Sequence, residues 1–475
     1  MATTRAIAVH LTKRVRSRAM YGWALLAITT LVLAVGTVGE AVGIASALVV
    51  LASGVLVARS TNPFRLCRIT IGGFWYLLYC LMIFLPSLFV FAEQDGLYRG
   101  RYLFSVESVL ITVPAGWLIA NRLWKFSHAC DDNYFQAPIA PIVGNPKVKR
   151  LFLGLLLAAV LLTLLYINQV GTIPLFYLFN NPGDYLQLAL LREDSFKLLD
   201  TPLLYFYYLV RSVIYPMLIL ISLGCYLKTR SRGWLYMFIV TAALGVLYSS
   251  LSLAKSPVAV ICALIGFFIY YYRGGRLPRK VVASLLILTL LFPFAVVMGV
   301  SAGNDVGPLE AIEGISARLF YLPAEISYYY FEIFPSYVPY LHGRSIDKLS
   351  RLLGMQPFDT PNYVGNYIYP NGIESVSANA VFISDLNADF GLWGVVLGGI
   401  LTGFIMQSFH VYVMRRRKSV FNIACYSFLV IAFWFLNSTS LTVVLLSDGA
   451  LIAVLLTFLF DRSERVLPLR LEQSA

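Results

Sequence analysis

The chain has 475 residues, of which 59% are hydrophobic and only 13% are charged. Soluble domains carry about 25% charged residues, so this composition excludes a soluble globule and predicts a membrane protein. The net charge of +13 is scattered over many short loops, which excludes a nucleic-acid-binding patch.

Stretches long and apolar enough to cross a bilayer recur along the chain, since a transmembrane helix needs about 20 apolar residues. We predict an all-α polytopic membrane protein with about twelve transmembrane helices. They lie near residues 21–38, 41–58, 69–92, 102–120, 151–168, 201–225, 234–253, 256–272, 281–299, 391–413, 420–438 and 441–460.

The basic residues predict the orientation of these helices. With both termini in the cytoplasm, most of the 37 lysines and arginines fall in cytoplasmic loops, as the positive-inside rule requires. The basic N-terminal segment is followed by no convincing cleavage site, which favours an uncleaved first helix. The six cysteines lie in spans or in cytoplasmic loops and none lies in an outer loop, so no disulfide framework is predicted.

Two longer loops are predicted outside the cytoplasm. The smaller runs near residues 169–200 and contains an amphipathic stretch with Arg192, which either binds substrate or anchors the loop to lipid headgroups. The larger, residues 300–390, separates the first nine spans (1–299) from the last three and the cytoplasmic tail (391–475).

The large loop begins with a predicted helix near residues 308–334, which Pro323 is expected to kink. Arg318, Glu325 and Glu332 are spaced seven apart, so in a continuous helix they share one face. Such a face suits a sugar, and a salt-bridged surface is the alternative.

A polar turn near Tyr340–Ser345 holds His342 and Arg344. We predict a helix-like segment over Ser345–Leu353, then irregular structure up to Gly372, and then a short helix over 377–390. Asp385 and Asp389 are four apart there, and like charges so placed cost stability, which points to function.

Within the spans, Arg211 is costly unless it faces a cavity or a partner, for which Glu107 and Asp448 are candidates. Lys255 lies at the outer end of a short turn, where snorkelling is the alternative to substrate binding. Gly399 and Gly403 form a small-xxx-small pattern, as do Gly394 and Gly398, which predicts close helix packing.

An anionic lipid-linked substrate needs cations at the membrane surface. The predicted substrate-binding residues are Arg192, Arg211, Lys255, Arg318 and Arg344. A sugar acceptor needs a base for its hydroxyl proton. The candidates are His342 and Glu325 first, then Asp385 and Asp389. The alternative is that His342 only orders its turn and the two aspartates cap or pair locally.

Four segments together resemble a known family. They are Ser252-Leu-Ala-Lys255-Ser256, the Arg318 segment, Gly343-Arg344-Ser345, and Asp385-Leu-Asn-Ala-Asp389-Phe-Gly391-Leu-Trp-Gly394. With twelve spans and a long late loop, the chain resembles the bacterial O-antigen polymerases, which join oligosaccharide repeat units.

The resemblance implies a GT-C-like architecture in the bacterial inner membrane. It implies transfer of a growing glycan from undecaprenyl diphosphate to an incoming lipid-linked unit on the periplasmic side. It implies neither a metal nor another cofactor, and it adds membrane lipids and a chain-length regulator protein as partners.

Two other functions stay open at this point. An O-antigen ligase has a similar topology and a basic, histidine-containing outer loop, but it transfers glycan to a lipid A core. A lipid-linked oligosaccharide flippase or other transporter also fits twelve spans. It would more often have short loops and polar residues spread through the bundle.

Overall fold

The computed structural model describes residues 27–32, 35–36, 39–60, 69–141, 145–181, 184, 187–188, 190–191, 201–253, 256–275, 284, 294, 307–370 and 377–465. Every regular element in these ranges is a helix, which confirms the all-α class. Nine helices within them are long and apolar enough to cross a membrane, as expected of a polytopic membrane protein.

These nine helices correspond one by one to predicted spans, and the shorter apolar helix Pro257–Tyr272 corresponds to a tenth. The predicted spans near 21–38 and 281–299 lie largely outside the described residues.

The helices are numbered here in chain order. They are α1 Glu40–Ser60, α2 Ile71–Glu93, α3 Arg99–Leu123, α4 His128–Gln136, α5 Pro146–Val170, α6 Pro174–Asn180, α7 Thr201–Thr229, α8 Arg232–Ser250, α9 Ser256–Tyr272, α10 Pro308–Phe320, α11 Leu322–Ile333, α12 Asp347–Leu352, α13 Thr360–Ile368, α14 Phe382–Met414, α15 Val420–Trp434 and α16 Ala450–Arg465.

Two of the long helices widen locally into π turns just before a proline. Cys80–Phe84 interrupts α2 ahead of Pro86, and Val210–Ile214 interrupts α7 ahead of Pro216. Proline lacks an N–H and collides with the carbonyl four residues earlier, so the wider turn accommodates it without ending the helix.

The chain forms two compact units. The first contains Met1–Asp131, Ser316–Tyr412 and Phe433–Leu441, and the second contains Asp132–Ile315, Val413–Ala432 and Thr442–Ala475.

In the first unit, α3 and α14 meet backbone to backbone at glycines. An added Cβ on Gly116 would lie 2.2 Å from the Ile400 carbonyl oxygen, and one on Gly403 would lie 2.1 Å from the Val113 carbonyl oxygen. An added Cβ on Gly399 would lie 2.3 Å from Thr112 Oγ1. The predicted close packing of the Gly399–Gly403 pattern is therefore confirmed, because only glycine permits this approach.

Helix α14 is sharply bent at Gly391, whose φ of 64° and ψ of −151° are not helical. A Cβ on Gly398 would lie 2.4 Å from Leu386 Cδ1. Twelve residues of straight helix span about 18 Å, so the segment before Gly391 folds back against the segment after it. The Gly394–Gly398 pattern thus packs against the segment of the same helix that precedes Gly391.

The second unit is centred on tyrosines. The rings of Tyr166 and Tyr207 stack at 4.3 Å between centroids, and Tyr248 packs edge-on against both. Tyr215 and Ile219 pack closely against Gly245, where an added Cβ would lie 2.9 Å from Ile219 Cδ1. These rings join α5, α7 and α8 into one packed group.

Two predictions for the long loop need correction. The predicted helix over 308–334 is two helices, α10 and α11, which separate at Tyr321 with Pro323 in the first turn of α11. The stretch predicted to be irregular up to Gly372 contains α13, which Asp359 caps by accepting a hydrogen bond from the Asn362 N–H.

Candidate functional site

One carboxylate holds the turn that contains the predicted histidine. Asp389 is only 1% exposed. Its Oδ1 atom accepts hydrogen bonds from the backbone N–H of Gly343 at 2.9 Å and of Ser345 at 3.2 Å, and the Ser345 hydroxyl donates to Oδ2. Because this turn occupies both oxygens, the geometry gives Asp389 a positioning role.

The turn presents His342 in an unusual backbone conformation. His342 has a φ of 52° and Gly343 a φ of 92°, a region that glycine adopts freely and histidine rarely. The His342 N–H donates to the Asp389 carbonyl oxygen at 3.1 Å. Its side chain is exposed. The result is an accessible imidazole on a fixed turn.

A small hydrophobic core lies directly beneath this turn. Leu341 and Ala388, the neighbours of His342 and Asp389, are 3% and 0% exposed. They pack with residues of α11, α13 and the segment before α14, namely Ile326, Tyr330, Ile333, Phe334, Val364, Ala378 and Ala380. The turn is thus attached to a packed base and not to a free loop.

Arg344 lies in the same turn and uses only some of its N–H donors in hydrogen bonds. Its Nε donates to the Gln356 carbonyl oxygen at 2.9 Å, and its guanidinium carbon lies 6.0 Å from the centre of the Phe358 ring. Among the described residues, no hydrogen bond engages the two terminal nitrogens. Those nitrogens form the edge that can bind a phosphate in a bidentate manner.

Arg101, at the start of α3, is a further cation that sequence reasoning did not single out. One of its terminal nitrogens donates to the Tyr340 hydroxyl and, at 2.7 Å, to Asn387 Oδ1. Tyr340 in turn packs against Gly391: a Cβ added to Gly391 would lie 2.8 Å from the Tyr340 hydroxyl oxygen. Arg101 therefore joins the turn to the bend of α14.

Asp385 differs from Asp389 in its surroundings. Its side chain is partly exposed, and no hydrogen bond to it occurs within the described part of the chain. It lies close enough to Asp389 for their charges to interact. Of the predicted aspartate pair, Asp385 is the one whose oxygens remain available for a substrate hydroxyl.

Glu325 belongs to a carboxylate group at the start of α11. Tyr321 donates a hydrogen bond to Glu93, and the charge of Glu93 acts on Glu325. Partial burial, and secondly this neighbouring charge, raise the pKa of Glu325 above its ordinary value of 4.5. A raised pKa brings a carboxylate closer to the range in which it serves as a general base.

We expect the Glu325→Gln variant to lose less stability than the wild type as the pH rises. A carboxyl group with a higher pKa in the folded state favours folding at low pH. This contribution disappears as the pH passes from the unfolded to the folded pKa. Thermal unfolding between about pH 4 and 7 measures the effect. Glu93→Gln should partly reproduce it, and identical pH dependence in Glu325→Gln and wild type would contradict it.

The predicted face of Arg318, Glu325 and Glu332 is not continuous. Arg318 is exposed on α10, whereas the two glutamates lie on α11 beyond the break at Tyr321. Glu332 accepts a hydrogen bond from the Tyr367 hydroxyl at 3.3 Å. The seven-residue spacing therefore relates only the two glutamates, because a broken helix does not preserve the phase.

Arg211 lies on the π turn of α7 in the second unit. Its guanidinium carbon lies 5.2 Å and 5.0 Å from the ring centres of Tyr207 and Tyr208. One terminal nitrogen is 3.4 Å from both the Tyr207 hydroxyl and Ser252 Oγ. Its buried Nε has no hydrogen-bond partner among the described residues. Aromatic rings thus provide much of the environment that makes this intramembrane cation tolerable.

Asp448, one of the two predicted partners of Arg211, is the acid whose charge acts on it. Asp448 follows the π turn Val443–Ser447, and at the adjacent Gly449 an added Cβ would lie 2.1 Å from Val213 Cγ2. The second candidate, Glu107, instead accepts a hydrogen bond from Ser46 in the first unit. Arg211 and Asp448 therefore share one site of two π turns.

The remaining predicted binding residues, Arg192 and Lys255, lie outside the described residues. Arg318 and Arg344 belong to the first unit and Arg211 to the second. The convergence of all five cations on one substrate stays a prediction.

In the described part of the chain, no three His, Cys, Asp or Glu side chains come together as metal ligands. No family model, curated protein or solved structure matches the chain. The site's own geometry is therefore the basis for assigning a function.

Proposed function

We propose that the protein polymerises undecaprenyl-diphosphate-linked oligosaccharide repeat units on the periplasmic side of a bacterial inner membrane. The observation that carries this proposal is the turn held by Asp389. It places an accessible imidazole, His342, and a guanidinium with unused donors, Arg344, beside the bend of a membrane-length helix.

The two groups suit the two demands of glycosyl transfer from a lipid diphosphate. The acceptor hydroxyl attacks the anomeric carbon of the donor, its proton passes to a base, and the bond to the diphosphate oxygen breaks. His342 is exposed and therefore accessible to the acceptor hydroxyl, and histidine is the side chain that most often serves as a general base. Arginine donors stabilise the charge that develops on the leaving diphosphate.

Arg101 extends this assignment. It lies at the first turn of a membrane-length helix and contacts Tyr340 and Asn387 on either side of the site. A lipid-anchored substrate keeps its diphosphate at this level because withdrawing its chain costs about 0.8 kcal/mol per CH₂. We therefore assign Arg101 with Arg344 to the diphosphate.

The test is incubation of the purified protein with lipid-linked repeat units, followed by separation of the products on a gel. A ladder of longer lipid-linked glycans supports the polymerase. Transfer only when a lipid A core is supplied would indicate a ligase. Movement of intact substrate across vesicle membranes without extension would indicate a transporter. The resemblance to the family also implies that EDTA leaves the ladder unchanged.

A further inference from the structure

A second charged site lies in the short connection between α14 and α15. Residues 415–418 are four consecutive cations, three arginines and a lysine. With Phe458 of α16, the three arginines line a shallow cavity of about 650 Å³. This site belongs to the second unit, and nothing in the proposed glycosyl transfer uses it.

The connection is held firmly from below. The Lys418 ammonium donates to the Phe135 carbonyl oxygen at 2.9 Å and is 5% exposed. Asn422, which is fully buried, donates to the Arg417 carbonyl oxygen at 3.0 Å and to Asp461 at 3.2 Å. The backbone that carries the arginines is therefore fixed before any ligand arrives, which lowers the entropy cost of binding.

Two buried acids balance part of the charge. Asp461 lies 3.7 Å from Arg416, and Glu464 lies 3.3 Å from Arg417, while each acid is only 2% exposed. Three arginines thus face the opening, and two of them have a buried acid as partner. Arg415 and Arg417 are exposed there.

An apolar surface adjoins the arginines. Phe458 is 42% exposed, and the guanidinium carbon of Arg416 lies 6.0 Å from its ring centre. The connection also lies at the ends of two membrane-length helices, where lipid headgroups meet the acyl region. A ligand with an anionic phosphate beside an apolar chain matches both features.

We propose that this cavity binds the headgroup of an anionic phospholipid at the membrane surface. The phosphate pairs with the exposed guanidinium groups, and the glycerol and first acyl carbons lie against Phe458. The charge pattern that predicts a cytoplasmic location for this connection agrees, since anionic lipids are enriched in that leaflet.

The experiment is native mass spectrometry of the full-length protein in detergent, titrated with phosphatidylglycerol or with phosphatidylcholine of the same acyl chains. We expect phosphatidylglycerol to bind preferentially. The Arg415→Gln and Phe458→Ala variants should weaken it, the first roughly tenfold because a charge-assisted contact is lost. Glu464→Gln should strengthen it, because Arg417 loses its acidic partner.

Arg150→Gln is the matched control, since Arg150 is an exposed cation near the start of α5 outside this cavity. Equal weakening by Arg415→Gln and Arg150→Gln would show a diffuse charge effect and overturn the proposal. Equal binding of the two lipids would do the same. Displacement by millimolar inorganic phosphate would show that the site takes a free anion instead of a headgroup.

Discussion

Replacing His342 by asparagine is expected to slow chain extension by about 10²–10⁴-fold while substrate binding stays nearly intact, because a general base acts on the proton and not on affinity. Asparagine is the informative substitution here, since it tolerates the left-handed backbone that His342 adopts with a φ of 52°. The turn held by Asp389 should therefore keep its shape. The measurement is the rate of ladder growth with purified lipid-linked units.

Lys125→Asn is the matched control, because Lys125 also has a positive φ, of 46°, and ends a helical segment away from the turn. It should leave the rate unchanged. Glu325→Gln tests the other favoured base in the same assay. Ladders near the wild-type rate from both site variants would remove these residues as bases and shift the role to Asp385.

The resemblance and the chemistry of single residues led to His342, Arg344 and Asp389, but not to the role of Asp389 in fixing the turn that carries the other two. Asp389 meets Gly343 and Ser345 across more than forty residues of chain, at separations of 46 and 44. Patterns within a window of residues report local periodicity and carry no information about such pairings. Arg101 was missed for the same reason, since Asn387 is 286 positions away.

Local signals, in contrast, were reliable where packing did not override them. The apolar length of each span predicted the nine long helices. A helix at α13 was also predictable, because Asp359 followed by Thr360 and Pro361 is an N-cap signal with proline in the first turn. The glycines, asparagines and prolines around this signal led to the prediction of irregular structure instead. The fold-back at Gly391 required a glycine, but a glycine alone does not predict a fold-back.

The α3–α14 contact is the point at which a side chain added to a glycine should do most damage to the fold. We expect Gly403→Val to lower the thermal stability markedly, with a cost of at least about 1–3 kcal/mol, because its Cβ would meet the Val113 backbone 2.1 Å away. Backbone atoms cannot move aside as a flexible side chain does.

Gly154→Val is the control: it lies inside α5 with nothing within 4 Å of an added Cβ. Valine has the better helix propensity of the two, so the control should be neutral or slightly stabilising. Unfolding temperature and monodispersity on size-exclusion chromatography measure both variants in the same detergent. If Gly403→Val and Gly154→Val unfold at the same temperature, α3 and α14 do not pack at their glycines, and the bend at Gly391 would no longer be held beside Arg101.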